Sequence, residues 1–454
     1  MKRLGHILIA LALTACAIAV TVIVPEWYAS RSASWSGEDP LQPAAANRYA
    51  AAPDWPMFHG DPALSGVTSA GLPDKPVLLW TFKCGSQIKG SAAIAGGRVF
   101  FGSDDSNVYA LRLQDGAKLW EFTTGSVVES TPCVVGGVLF VGSTDQYLYA
   151  LEAKTGALCW RYATEGEIKA GPNFISGAAL GLSQPCQPTL SPQEECFNKV
   201  SSPTQLLHGD PVWLGELTKM KHCLSQGRGE LEGGRVLIGS YDNKLHCVDA
   251  ATGEPVWTLD TGNYVNGCAA IAEGQTVFGA CDGQLHIVDV KTGTETARVD
   301  AGAYISASPG LRDGVAYVGQ SERDLLAVDI RKAAVVWRFE NPHEFPFFSS
   351  PAVARDRLVI GAQDKRVHCL ERATGKELWS FMTRGHVDSS PAIARDRVIA
   401  GSDDGRVYIL ALQDGRELWS YEIGSEVNGS PAVVDGLFIV GAGDGVLYAF
   451  GARK

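Results

Sequence analysis

No pair of cysteines in this sequence is spaced C-x-x-C, so a thioredoxin-like redox motif and a zinc knuckle are both excluded. There is no G-x-S-x-G elbow, no Walker loop and no zinc-protease signature, which leaves nucleophilic hydrolysis and phosphoryl transfer without a recognisable carrier. Lysine and arginine never gather into a cluster, and the net charge of −11 argues against a nucleic-acid surface. What the chain has in excess is glycine, 51 residues of 454, the composition of a fold with many tight turns. Its eleven cysteines are scattered. Cys133, Cys247, Cys268 and Cys369 fall in strand patterns, where a thiol behaves as a small hydrophobe. Cys186, Cys196 and Cys223 share one irregular segment, and two of them can pair if the compartment is oxidising.

The N-terminus places that compartment outside the cytoplasm. Lys2 and Arg3 precede an apolar run from Leu4 to Val24, 21 residues in which only His6 ionises. Residues 1–24 therefore read as an export signal or membrane anchor, with the basic end left inside. Leu13-Thr14-Ala15-Cys16 looks like a bacterial lipobox, making Cys16 a candidate for lipidation. The apolar run continues past Cys16, and its length suffices to span a bilayer, which favours an uncleaved anchor. Residues 25–52, rich in Ala, Ser and Pro, read as a flexible tether. Residues 53–76 are a leader segment whose cluster Asp54-Trp55-Pro56-Met57-Phe58-His59-Gly60-Asp61 is expected to pack on the domain that follows.

From there to the end the chain repeats one unit. Its clearest copy is Val387–Trp419, VDSSPAIARDRVIAGSDDGRVYILALQDGRELW, which reads as four short strands joined by turns. Trp80, Trp120 and Trp160 are spaced by 40 residues, as are Trp257, Ala297 (standing where a Trp is expected) and Trp337. Trp379 and Trp419 follow at 42 and 40. Four strands per unit and eight units define an all-β, eight-bladed β-propeller of four-stranded antiparallel blades spanning 77–454. The last unit lacks its fourth strand. Val77-Leu78-Leu79-Trp80 is a fourth strand without a blade, so it is expected to join the last blade and close the ring. Each unit carries a carboxylate three residues after its second-strand glycine: Asp105, Asp145, Asp242, Asp282, Glu322, Asp364, Asp404 and Asp444. One per blade, these belong to hairpin turns rather than to a metal array. His246, His286 and His368 occupy the third-strand site held by Tyr109 and Tyr149, as packing variants. The step from Trp160 to Trp257 is 97 residues, an excess of 57 that falls at 176–232 in the third blade. That insert reads as a disordered loop.

The repeated SSPA…VIAGSDDGRVYILALQDGRELW, with its near twin STPCVVGGVLFVGSTDQYLYALEAKTGALCW, resembles the pyrroloquinoline-quinone-type (PQQ-like) propeller repeat. An exported ring on a membrane anchor resembles the BamB-like, non-catalytic branch of that family. The resemblance implies a protein-interaction scaffold of the bacterial periplasm or envelope, with proteins or extended peptides as partners and a role in outer-membrane protein assembly. The alternative it leaves open is a PQQ-dependent dehydrogenase, or a ligand sensor derived from one, with PQQ and calcium as cofactors. Against that alternative, no two cysteines are adjacent, and no set of calcium ligands accompanies Asp388; no metal, cofactor or catalytic residue is expected. Binding is expected at the residue before each first-strand small-residue step, which faces the central channel or its mouth: Lys89, Glu129, Lys169, Asn266, Ser306, Phe348, Asp388 and Asn428.

Overall fold

The computed structural model describes residues 54–182 and 230–453. Among them lie eight blades of four antiparallel strands, which follow chain order outwards from a central axis except that the last blade takes its outermost strand from the start of the chain; the short strand Val67–Thr68 adds a fifth, parallel strand inside the seventh blade. In the first blade the strands are Ala93–Ala95, Arg98–Gly102, Asn107–Arg112 and Lys118–Thr123. The burial gradient explains their composition. Second and third strands are covered on both faces by neighbouring blades and read as continuous apolar runs, VFF and VYAL here. Fourth strands alternate, one face packed and one in water.

Fourth-strand tryptophans fasten each blade to the next. The indole of Trp80 donates to Leu113 O (3.0 Å) and lies flat on Gly116, in the turn before the next blade's fourth strand. A Cβ at Gly116 would sit 2.5 Å from that ring, and its φ of +71° favours glycine in any case. Trp120 on Gly156, Trp160 on Gly253, Trp257 on Gly293, Trp337 on Gly375 and Trp379 on Gly415 repeat the arrangement. Two junctions depart from it. Between blades four and five the tryptophan is Ala297 and the opposing glycine is Ala333, which keeps a positive φ of 50°. Between blades seven and eight, Trp419 packs into Phe438 and Phe450, at 6.0 and 5.5 Å between ring centroids.

The ring closes as the sequence predicts. Val77–Lys83 pairs antiparallel with Val446–Gly451, with Thr81 opposite Tyr448, and supplies the last blade's outer strand. The insert lies between Asn173–Ile175 and Arg235–Gly239 of the third blade. Most of it, with Cys186, Cys196 and Cys223, is outside the described residues, as are residues 1–53 with the apolar run and Cys16. No helix among the described residues is long and apolar enough to cross a membrane.

Residues 55–71 encircle one end of the channel. Every innermost strand has an edge facing the axis that no strand of its own blade covers. Ile94, Val134, Ile271, Leu311, Val353 and Ile393 each donate their N–H to a leader carbonyl (Trp55, Pro56, Pro62, Ala63, Ser65 and Gly66), at 2.7–2.8 Å. In the third blade the Asn173 side chain reaches Pro62 O, and in the eighth Gly436 donates to Gly71 O. All eight blades are thus tied to one belt. Trp55 and Leu64, each 1% exposed, seal it against the ring.

Candidate binding site at the mouth of the central channel

Above the belt, a narrow waist is drawn by small polar residues. The N–H of Ser91 donates to Thr131 Oγ1, Cys268 to Ser308 Oγ, Ser308 to Ser350 Oγ, Ser350 to Ser390 Oγ, Ser390 to Ser430 Oγ and Ser430 back to Ser91 Oγ. Gly171 donates to Cys268 Sγ. Having no side chain, it gives Thr131 nothing to bond, and the circle is broken there.

The waist opens into a mouth to which each blade contributes three positions. One is the ring position before the small-residue step. The second lies two residues earlier, and the third two residues after the second-strand glycine. A backbone hydrogen bond locks the last two together: Asp104 N to Gln87 O, Tyr241 N to Glu167 O, Asp403 N to His386 O, and so in every blade. Lys89, Glu129, Lys169, Asn266, Ser306 and Phe348 line a cavity of about 180 Å³ with the waist residues, and Phe58 of the belt also lines it. Asp388 and Asn428 are not among its lining residues. Instead Asp388 accepts from Gln363 Nε2 (3.2 Å).

The third position was not singled out from sequence. It carries Asp104, Thr144, Tyr241, Cys281, Ser321, Gln363, Asp403 and Gly443, changing in every blade between a fixed glycine and a fixed carboxylate. That variability was the available signal. Asp403 is the sequence neighbour of Asp404, which serves the turn.

Electrostatically the mouth has three sectors. In blades one to three the charges are paired, two lysines among three carboxylates: Lys89 bridges Asp104 (2.9 Å) and Glu129 (2.7 Å), and Lys169 lies 3.3 Å from Glu167 and 3.8 Å from Glu129. The bond to Glu129 holds the Lys89 ammonium above its ordinary value. Blades three to five present aromatic surface. Tyr241 stacks on Tyr264 at 4.7 Å, donates to Asn266 Oδ1, and lies under the Lys169 ammonium. Tyr264 and Tyr304 are half exposed. Blades seven and eight are acidic. Burial, then the neighbouring Asp388 and Glu426, push Asp403 up to about 6, and burial raises Asp388.

Two other groups of titratable residues are structural. The turn carboxylates cap their hairpins and accept from the third strand, as in Asp404 Oδ1 to Arg406 N (3.0 Å) and Oδ2 from Tyr408 Oη (2.6 Å). The three histidines fill the tyrosine site but use both ring nitrogens. His368 lies between Asp364 (3.0 Å) and Glu377 (2.8 Å), His286 between Asp282 and Glu295, and His246 between Asp242 and Tyr162. Buried His59, pushed down to about 4 by its burial, is neutral in the belt.

Small-molecule pockets run to roughly 300–1,000 Å³ with mainly apolar walls; the cavity between the ring positions is about 180 Å³, with Phe58 in its lining, and a polar one of about 390 Å³ adjoins the acidic sector.

A family model described as "Outer membrane protein assembly factor BamB" matches residues 74–183, 202–343, 266–366 and 334–454. Among solved structures, BamB from Moraxella catarrhalis is similar at a TM-score of 0.60 and 17% identity, covering 84% of this chain and 98% of that one. A quinohemoprotein alcohol dehydrogenase from Pseudomonas putida HK5 is similar at 0.64 and 13%, covering 88% and 81%. A europium-containing methanol dehydrogenase stands at 0.65 and 12%, covering 88% and 98%. At these identities the likeness is one of fold. No curated protein sequence matches the chain significantly.

Proposed function

Because the chain belongs to the family of the outer membrane protein assembly factor BamB, we propose that it is a non-catalytic interaction scaffold of the bacterial envelope. In this reading Leu4–Val24 tethers it to the membrane, and its partners are proteins or extended peptides engaged in envelope assembly. The observation that carries the reading is the mouth itself. It offers half-exposed aromatics beside fixed charges above a cavity of about 180 Å³, closed below by the belt. Such a surface suits contact with a polypeptide, where tyrosines supply area and ordered charges supply specificity.

The test is site-specific photo-crosslinking in cells at Tyr264 and Tyr304, with Lys154 on the opposite face as control. Discrete adducts to the same envelope protein from both tyrosines, and none from Lys154, are expected. Adducts from Lys154 alone would refute a partner at the mouth. The dehydrogenase reading makes an opposite prediction: the purified protein with pyrroloquinoline quinone and calcium would reduce an artificial electron acceptor when given alcohols. Turnover in that assay would overturn the scaffold reading.

A further inference from the structure

The acidic sector differs in kind from the rest of the mouth. In blades one to three each carboxylate facing the channel has a lysine partner. In blades seven and eight the one basic partner among the described residues is the half-exposed imidazole of His386. His386 and Asp388 stand two residues apart on the loop entering blade seven, and Asp403 leaves that blade's second strand beside them. One ligand atom from each of the three lies within 4.8 Å of the other two, and His386 Nδ1 is 3.9 Å from Asp403 Oδ2.

A second observation concerns individual oxygens. Asp388 Oδ1 and Asp403 Oδ1 are sealed from solvent and have no hydrogen-bond partner, and the same holds for Oδ1 of Asn428, the next ring position. Among the described residues, the hydrogen bond from Gln363 Nε2 is the one made to either carboxylate. Three sealed acceptor oxygens without donors, next to a nitrogen ligand, call for a proton, a water or a cation from outside the protein. A proton can satisfy one oxygen pair. It leaves the imidazole and the Asn428 carbonyl unused.

We propose that His386, Asp388 and Asp403 form a binding site for a divalent first-row transition-metal ion of the Zn²⁺ or Mn²⁺ class. One imidazole with two carboxylates is the donor set such ions take, whereas calcium and magnesium prefer oxygen alone. Ligands about 2.0–2.2 Å from an ion can stand up to about 4.4 Å apart. The 3.9 Å separation of His386 and Asp403 is already within that span, and the widest separation needs only a small closure. A polar cavity of about 390 Å³ lined by Asp403, Glu426, Ser425 and Gln87 opens beside the site, giving the ion access and its remaining ligands water. The site stands independently of the scaffold reading.

The experiment uses the purified full-length chain, stripped with a chelator and titrated calorimetrically with Zn²⁺ and Mn²⁺, with Mg²⁺ and Ca²⁺ as comparators. One ion per chain is expected, with Mg²⁺ and Ca²⁺ at least tenfold weaker. Co²⁺ should show the visible absorption bands of a nitrogen-ligated site. Asp388→Asn, Asp403→Asn and His386→Gln keep side-chain shape, so they should fold and each weaken binding tenfold or more. Glu167→Gln, in the compensated sector, should leave it unchanged. Failure of both Zn²⁺ and Mn²⁺ to bind at millimolar concentration would overturn the site. So would equal binding by the three variants, or Mg²⁺ binding as tightly as Zn²⁺.

Discussion

The junction of blades four and five allows the inter-blade fastening to be built rather than broken. It lacks both members of the pair, Ala297 and Ala333, but keeps the acceptor position. Each of the six indoles stacked on a glycine donates to the carbonyl three residues before it, and Ile330 stands three before Ala333. Ala297→Trp alone should destabilise. At the equivalent glycines a Cβ would lie 2.5–2.7 Å from the ring, about an ångström inside the carbon–carbon optimum of roughly 3.5–4.0 Å. Overpacking of that kind costs about 1–3 kcal/mol. Ala333→Gly alone relieves a φ of 50°, a gain of about 1 kcal/mol that the added backbone freedom of glycine largely cancels. Together the two changes should stabilise. Truncating a buried tryptophan costs about 3–5 kcal/mol, and a ring as partly covered as Trp257 or Trp337 should return about half of that. The predicted coupling is then about 4 kcal/mol, well above the few tenths expected of independent sites. A double-mutant cycle on urea midpoints measures it, with hydrogen exchange in blades four and five locating the gain. If Ala297→Trp stabilises as much alone as with Ala333→Gly, the stacking argument is wrong.

Two further predictions concern polar burial and ring closure. His368 is 1% exposed; burial opposes its charge, but Asp364 and Glu377 outweigh it and raise its pKa. It holds its proton more tightly when folded, so its contribution is complete below the ordinary 6.5 and is lost as pH rises through the raised folded value. Asp364 and Glu377 are held below 3.8 and 4.5, so theirs is present above those values and is lost on acidification through the depressed ones. His368→Tyr should fold, with its hydroxyl on Asp364 as Tyr408 sits on Asp404, and should shrink the wild-type advantage at alkaline pH. A stability difference flat between about pH 5 and 9 in denaturant titrations would contradict this. Deleting Val77–Lys83 should expose the edge of Val446–Gly451 and produce aggregates on size-exclusion chromatography; a soluble monomer with a wild-type melt would argue against the closure.

The repeat was legible because its markers recur every 40 residues, and once the tryptophans were in register the number of blades and the closing strand followed. Contacts between blades were not legible in the same way. Trp120 reads as a strand marker and Gly156, in its Thr-Gly pair, as a turn, but nothing in a linear pattern says that a ring lies on a glycine 36 residues later. The paired loss at Ala297 and Ala333 was the available hint. The histidines were placed in the right site. Their second nitrogen was missed, since Glu295 and Glu377 reach it from the adjoining strand. The ring positions at the mouth were read from their place before the small-residue step. Asp403 and Tyr241 were not, because only the fold lays the exit of a second strand against the preceding loop.

The belt carries a consequence for the order of events in synthesis. Trp55, Gly66 and Gly71 emerge from the ribosome early, yet their partners Ile94, Ile393 and Gly436 are spread across the rest of the chain. Val77–Lys83 likewise waits for Val446–Gly451. Individual blades can form as they appear, but neither the belt nor the seam can be completed until the eighth blade exists. Contacts of such sequence separation form slowly, and until then the leader remains an extended strand without a sheet. On the envelope location proposed above, a chain held open in this way would pass a translocation pore to its final blade before it commits to a ring.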